Sequence, residues 1–359
     1  VADITVLTSA CRCRGLGLEA GQAYARWHNQ TEEMERAMVE TSSPRKVNAA
    51  NMRARFVLEM AAGMAADDDQ VYREPDLILQ VEGGGPPVRL SASSTLDGIA
   101  RVVNGQADLA FLNPSSALTV AYRGKGSTFS SAQPVSAITV LPSRDQCLFA
   151  VHNSTGLRSI EDIGRRKYPL KLALRGRAEH WLHNMLDDIF AAAGFSCADI
   201  VSWGGEVQKV GHIPRPGSEK FQAVSRGELT GLFDEGVHGW ANQVVPAGMT
   251  VLRLEEETLA RLEGMGYRRD VLSKAQYPTL PEDVPTLDFS GWPVFVRDDA
   301  PDDMVQRVCA ALEARKDIIP WDGSGPLPLD QMCIDTPAAP LGVPLHPAAR
   351  TYWATKGYL

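Results

Sequence analysis

The pattern of residues predicts an α/β protein built as two lobes, each a mainly parallel sheet flanked by helices. Three observations carry the prediction. The chain has 359 residues, 44% of them hydrophobic, enough for about two cored domains. A strand, a polar turn, a helix, a glycine and another strand follow one another, the rhythm of βαβ units. That rhythm starts afresh near residue 155, so each half has strands of its own.

Taken in order, residues 1–34 read as an N-terminal extension, with helical character over 17–38. Thr41-Ser42-Ser43-Pro44 is a turn and capping signal. Asn48 or Asn51 is suited to cap the next helix, in which Met52, Phe56, Met60 and Met64 recur every four residues, the spacing of a core-packed face. Residues 77–81 (LILQV) predict a strand and 83–87 (GGGPP) a tight connection. That connection lacks the G-x-G-x-x-G spacing and following helix of a dinucleotide site. A second extended piece covers 88–92. Ser93-Ser94-Thr95 can cap a helix that runs to Asn104 and ends at Gly105. The run ADLAFL (107–112) predicts a buried strand leading into Asn113-Pro114-Ser115-Ser116. Apolar runs at 135–141 and 146–151 follow. The second series predicts strands at 170–174, 200–203, 231–233 and 249–254, and helices at 178–193 and 220–226. A helix over 302–314 stands among Pro-rich connections in the last hundred residues. Lobe I is expected to comprise 35–145 and 250–359, and lobe II 146–249.

Composition narrows the functions. The formal charge of −8 leaves no basic excess to displace counterions from nucleic acid. No apolar run reaches the roughly 18 residues of a membrane-spanning helix, so an integral membrane protein is not expected. The opening VADITVLTSACRCRG has no basic segment before its short apolar stretch, so no secretory leader is read in it. Six cysteines are too few for a disulfide scaffold. Cys309 and Cys333 would pair only in an oxidising compartment. Cys11-Arg12-Cys13 lacks the second ligand pair of a structural metal site, and neither metal nor cofactor is expected.

Several stretches together resemble a known family. GIARVVNGQADLAFLNPSSAL (98–118) looks like the helix, glycine and G-x-A-D-L-A strand of bacterial periplasmic solute-binding proteins. TGLRSIEDIGRRKYPLKLALRGRAEHWLHNMLDDIFAAAGF (155–195) is similar to the start of their second lobe. RGELTGLFDEGVHGW (226–240) resembles their G-x-V-D-A-x-F strand and the loop after it. The ending PLHPAARTYWATKGYL is similar to the tail of the TAXI group, receptors of some TRAP transporters, with Ala348 where glycine is common. Members usually begin with a strand and a glycine-rich loop, and here MVETSSPRKVNAAN stands instead, without a glycine pair. The resemblance covers about residues 40–359. It implies a type II periplasmic-binding-protein fold with a hinged cleft, a small anionic solute, TRAP membrane subunits as partner and a periplasmic location. The missing leader leaves a cytoplasmic location open.

In open α/β sheets, ligands sit beyond the carboxyl ends of strands, where helix starts attract anions. Four turns have that form. Ser42 and Ser43 precede the first helix, Ser93 and Ser94 the second, and Asn113 and Ser115 follow the buried strand as neutral donors and acceptors. Arg175-Gly176-Arg177 follows a strand of the second series, pairing a rigid carboxylate fork with a glycine that admits a ligand closely. Asp234, Glu235, His238 and Trp240 end another strand. Their acids are expected to pair with Arg175 or Arg177 across the cleft, or to hold a solute amino group, with Trp240 as an apolar wall. A solute receptor for a small organic anion, carboxylate or amino-acid-like, is the leading function, and no catalytic role is expected. The alternatives are an enzyme on the same scaffold using Asp234, Glu235 or His238, and a cytoplasmic sensor.

Overall fold

The computed structural model describes residues 49–65, 74–80 and 83–359. It falls into two units, residues 1–73 and 74–359. In the first, the described part is helix α1 (Ala49–Ala65). Its Met52, Phe56, Met60 and Met64 are all exposed, Phe56 at 70%, so the four-residue repeat there is not a buried face. Alanine, methionine, leucine and arginine are strong helix formers, and they account for the helix without a packed side.

The second unit contains two five-stranded sheets. The first has the order β1-β2-β3-β12-β4, from β1 (Asp76–Leu79), β2 (Val88–Ser91), β3 (Leu109–Phe111), β4 (Val135–Leu141) and β12 (Trp292–Arg297). The second has the order β7-β6-β8-β5-β9, from β5 (Leu148–His152), β6 (Lys171–Leu174), β7 (Glu206–Lys209), β8 (Gly231–Asp234) and β9 (Met249–Val251). The hairpin β10 (Arg269–Leu272) and β11 (Val284–Leu287) lies in the return connection. The chain therefore crosses between sheets twice, over 142–147 and 252–291. Each time the arriving strand, β5 or β12, inserts antiparallel inside the sheet it enters. This double crossover is the connectivity of a two-lobed, type II binding-protein fold.

The sheets are mixed rather than mainly parallel. Among the described strands, only β2–β3, β6–β7 and β6–β8 run parallel. β1 and β2 form an antiparallel pair across the Gly-Pro connection, and each crossover strand adds two antiparallel neighbours. The parallel pairings occur where a helix returns the chain, as βαβ units require.

The helices are α2 (Thr95–Val103), α3 (Ser115–Arg123), α4 (Ile160–Arg165), α5 (Leu182–Ala192), α6 (Cys197–Ser202), α7 (Glu219–Ser225), α8 (Ala241–Val244), α9 (Glu256–Met265), α10 (Asp302–Arg315), α11 (Leu329–Met332) and α12 (Pro347–Thr355). Residues expected as a strand at 200–203 lie instead at the end of α6 and just beyond it, because Ser196 caps the helix by accepting from the Asp199 backbone N–H at 3.1 Å. The strand of that region comes later, as β7. Ser94 stands at the N-cap of α2 but makes no side-chain capping bond.

The largest core cluster runs from Ile99 and Val102 through Phe149, Leu172 and Phe190 to Phe289 and Phe295, so strands of both sheets share it. A separate cluster gathers Leu109, Ile138, Val296, Val305 and Trp353 beneath α10 and α12. Trp353 is fully buried and donates its indole N–H to the Ile138 carbonyl at 2.9 Å, seating the C-terminal helix against β4.

Candidate functional site

The strand ends of the second sheet hold a buried ionic cluster. β6 and β8 are parallel neighbours, so both point their carboxyl ends to the same edge and deliver Arg175 beside Asp234 and Glu235. Arg175 Nε donates to Asp234 Oδ1 at 3.0 Å and Nη2 to the same oxygen at 2.5 Å; Nη2 also pairs with Glu235 Oε1. Lys220, from α7, donates to Asp234 Oδ2 at 2.6 Å. Asp234 is wholly buried, and the Arg175 and Lys220 side chains are 11% and 3% exposed. Burial works against the Arg175 charge, but Asp234 and Glu235 outweigh it and raise its pKa. Burial lowers the Lys220 pKa against the pull of Asp234. The acids thus meet Arg175 within one sheet, on adjacent strands, and not across the lobes.

Glu235 has a second neighbour, Asp145, from the first crossover. Burial first, then the acidic neighbour Asp145, pushes Glu235 up to about 8. Burial also raises Asp145. Asp145 accepts from the backbone N–H groups of Gly236 at 2.9 Å, Val237 at 3.3 Å and Gln146 at 2.7 Å, pinning the crossover to the loop after β8. His180 lies 3.8 Å from Glu235 and stacks on Phe289 of the return crossover, with centroids 6.1 Å apart and planes at 8°. Burial, aided by Arg175, lowers its pKa to about 3, so its imidazole is neutral.

The strand ends of the first sheet are chemically different. After β3, Asn113 joins Pro114 by a cis peptide and α3 begins at Ser115. The Asn113 side-chain amide donates to the Gly291 carbonyl at 3.2 Å, and the Asn113 backbone carbonyl accepts from the Thr95 hydroxyl at 2.7 Å. The Ser115 N–H donates to the Ser290 carbonyl at 3.1 Å. The Ser115 and Ser116 hydroxyls, 4% and 5% exposed, have no hydrogen-bond partner. Gly291 has φ +80° and lies so close to the Ser115 hydroxyl that any side chain there would collide with it. Ser93 is half-buried beside Ser91, hydroxyl to hydroxyl at 3.1 Å, and Ser94 is half-buried next to it. Residues 289–291 therefore touch both strand-end groups, His180 on one side and Asn113 with Ser115 on the other.

The remaining expected residues are dispersed. Ser42 and Ser43 lie outside the described residues. Gly176 is exposed and packs tightly on Gly211, to whose carbonyl it donates at 2.8 Å. Arg177 is exposed and pairs with Glu74, just before β1. His238 turns away from Asp234 and Glu235: its Nε2 meets the Arg144 carbonyl at 3.0 Å and its Nδ1 the Tyr277 hydroxyl at 3.1 Å. Trp240 is 1% exposed in the core of the second sheet, donating to the Glu235 carbonyl at 3.1 Å. It packs from below and holds the Glu235 backbone.

A second buried carboxylate ties α5 to the segment after α3 and to the return crossover. Asp188 of α5 accepts from the Ser127 N–H and the Tyr267 hydroxyl, both at 2.6 Å, and Asn184 donates to the Thr128 hydroxyl at 3.0 Å. Among the described residues no group of three or more His, Cys, Asp or Glu could hold a metal ion, and no helix is long and apolar enough to cross a membrane.

Two participants escape a reading by turns alone: Lys220 and Asp145. Lys220 reads as an ordinary surface lysine in EKFQAVS, yet it sits on the face shared with Phe221, Ala223 and Val224. Asp145 lies in SRDQ between two apolar runs, and that interruption was the available signal.

No family model and no curated protein matches the chain. Among solved structures, the chain is similar to an ancestral arginine-binding protein bound to arginine, at 14% identity and a TM-score of 0.30, covering 62% of this chain and 72% of that one. It is also similar to the substrate-binding protein of an amino acid ABC transporter, at 13% identity and a TM-score of 0.26, covering 60% and 69%. A third likeness is to an ATP phosphoribosyl transferase complex from Thermotoga maritima, at 10% identity and a TM-score of 0.34, covering 71% and 90%. Likenesses of this strength carry no ligand or activity to this chain.

Proposed function

We propose that this protein is a solute receptor that holds a small organic anion, carboxylate or amino-acid-like, at the seam between its lobes. The supporting observations are a buried guanidinium, Arg175, in one strand-end group and two buried partnerless hydroxyls, Ser115 and Ser116, in the other, with residues 289–291 touching His180 of the first group and Ser115 of the second. Buried polar groups without partners cost about 1–3 kcal/mol each, a cost that a bound acceptor removes. Arg175 presents a planar fork suited to a carboxylate, and Asn113 and Ser115 offer neutral donors at the opposite strand end. Within residues 74–359, lobe II is read as 146–249 and lobe I as the remainder, with residues 142–147 and 252–291 as the connecting segments. TRAP-type membrane subunits are the proposed partner and the periplasm the proposed location.

The test is a thermal-shift panel of acetate, benzoate, succinate and glutamate, followed by calorimetry on any compound that raises Tm, since a ligand bound only by the folded form stabilises it. Arg175→Met should weaken that compound at least tenfold while the protein stays folded, because Lys220 still pairs Asp234. Consumption of the compound, or unchanged affinity in Arg175→Met, would defeat the reading.

A further inference from the structure

We propose that helix α5 carries an interlobe clasp, centred on Asp188, that holds the two lobes closed before any solute arrives. The consequence for solute binding rests on the receptor reading, whereas the clasp itself does not.

α5 follows β6 of the second sheet, and residues 127–129 follow α3 of the first. One face of the helix meets that segment turn by turn. Trp181, at the N-cap, stacks on Phe129 with centroids 6.4 Å apart and planes at 28°. Asn184 donates to the Thr128 hydroxyl at 3.0 Å, and Asp188 accepts from the Ser127 N–H at 2.6 Å. Positions 181, 184 and 188 are three and four residues apart in sequence and so share a helix face. Their partners run the other way, 129, 128 and 127. Each consecutive residue of one lobe thus engages a successive turn of a helix from the other.

The Asp188 end is sealed. Asp188 is 1% exposed, and its second oxygen accepts from the buried Tyr267 hydroxyl at 2.6 Å. Gly126, at φ +74°, packs so closely on that carboxylate that any side chain there would collide with it. α9 braces the same seam. Its Arg261 donates to the Ala192 carbonyl at the end of α5 at 2.7 Å, and its Glu263 carbonyl accepts from Arg123 at the end of α3 at 2.8 Å. The core between these bonds is continuous, with Leu118 of α3, Ile189 of α5 and Leu262 of α9 in one cluster.

Swinging the lobes apart would take 127–129 off α5, leave a buried carboxylate short of its N–H donor and uncover apolar faces. The closed arrangement is therefore the resting one. A receptor that rests open loses affinity in proportion to the rarity of its closed state, a loss this clasp removes. The clasp also makes entry wait on its own opening, so association is slow. Loosening it acts on the two in opposite senses: binding weakens while association quickens. A substitution that merely damaged the site would weaken binding without quickening association.

The experiment is a spin-label distance measurement on the full chain, with nitroxides at the exposed positions Glu228→Cys in lobe II and Arg307→Cys in lobe I. Cys11→Ser, Cys13→Ser and Cys197→Ser remove competing thiols, and Cys147, Cys309 and Cys333 are buried. The expected result without solute is one narrow distribution, unchanged by the panel anion that binds. Asp188→Ala should lengthen and broaden it, and the anion should restore it. Asp188→Asn, which keeps an oxygen for the Ser127 N–H, should stay narrow. In stopped-flow binding, Asp188→Ala should associate about tenfold faster and bind about tenfold more weakly. A parent distribution that narrows only with solute, an Asp188→Ala distribution like the parent's, or association no faster in Asp188→Ala overturns the clasp. Failure of every panel anion to bind overturns the receptor reading and leaves the clasp to be decided by the solute-free distances. An Asp188→Ala variant that unfolds is replaced by Thr128→Val with Phe129→Ala, which removes the other two contacts and must broaden the distribution likewise.

Discussion

The two strand-end groups solve the same problem in opposite ways. At the ends of β6 and β8, every buried charge is matched by another, and the cluster is saturated. At the end of β3, the groups are neutral and two hydroxyls remain without partners. The difference teaches that burial alone does not mark a site. The saturated group resists change in its structure, since removing one member leaves another charge buried, whereas the unsatisfied group loses little when a hydroxyl is deleted.

That contrast can be broken most forcefully at Asp234. Asp234→Ala leaves Arg175 and Lys220 buried without their shared carboxylate, and should cost about 3–5 kcal/mol in urea unfolding. Glu235 sharpens the point through pH. Its folded pKa, about 8, lies above the ordinary carboxyl value, so the folded state binds more protons than the unfolded state between the two. The contribution of Glu235 to stability is therefore fully present below the unfolded value and is lost as pH rises toward 8. Unfolding of Glu235→Gln at pH 5 and pH 8 should show the variant gaining about 3–4 kcal/mol on the parent over that range. Asp188→Ala tests a saturated carboxylate outside the site; it strands the Tyr267 hydroxyl and the Ser127 N–H and should cost about 2 kcal/mol by the same assay. The smallest effect belongs to Ser115→Ala, which should raise the unfolding free energy by about 1 kcal/mol, the low end of the cost of a buried hydroxyl without a partner. A large loss there would show that the hydroxyl is bonded after all, and would erase the difference between the two strand ends.

Much of the fold was legible from local pattern. The run VSAITVL is β4 residue for residue, and ADLAFL contains β3. Arg175 with Asp234 and Glu235 could be foreseen as partners because both follow strands of one series. What local pattern could not supply was direction. Nothing in WPVFVR says that it enters the first sheet antiparallel between β3 and β4, since that depends on a connection of about 150 residues spanning the other lobe. Lys220 was hidden for a related reason. A lysine on a helix is ordinarily exposed, and its burial follows from Asp234 on a strand fourteen residues later. The repeat at Met52, Phe56, Met60 and Met64 shows the opposite error, an apolar spacing that the described helix leaves in solvent.

The insertion of β12 also has a consequence for how the chain is made. β3 and β4 emerge from the ribosome early, yet the strand that separates them, Trp292–Arg297, comes only after the whole second sheet. Until then, both carry inner edges with open backbone donors and acceptors, the kind of surface that recruits other chains. A nascent protein arrested before residue 292 should thus depend on chaperones for solubility, while one long enough to expose Trp292–Arg297 outside the ribosome can close its first sheet and be released from them.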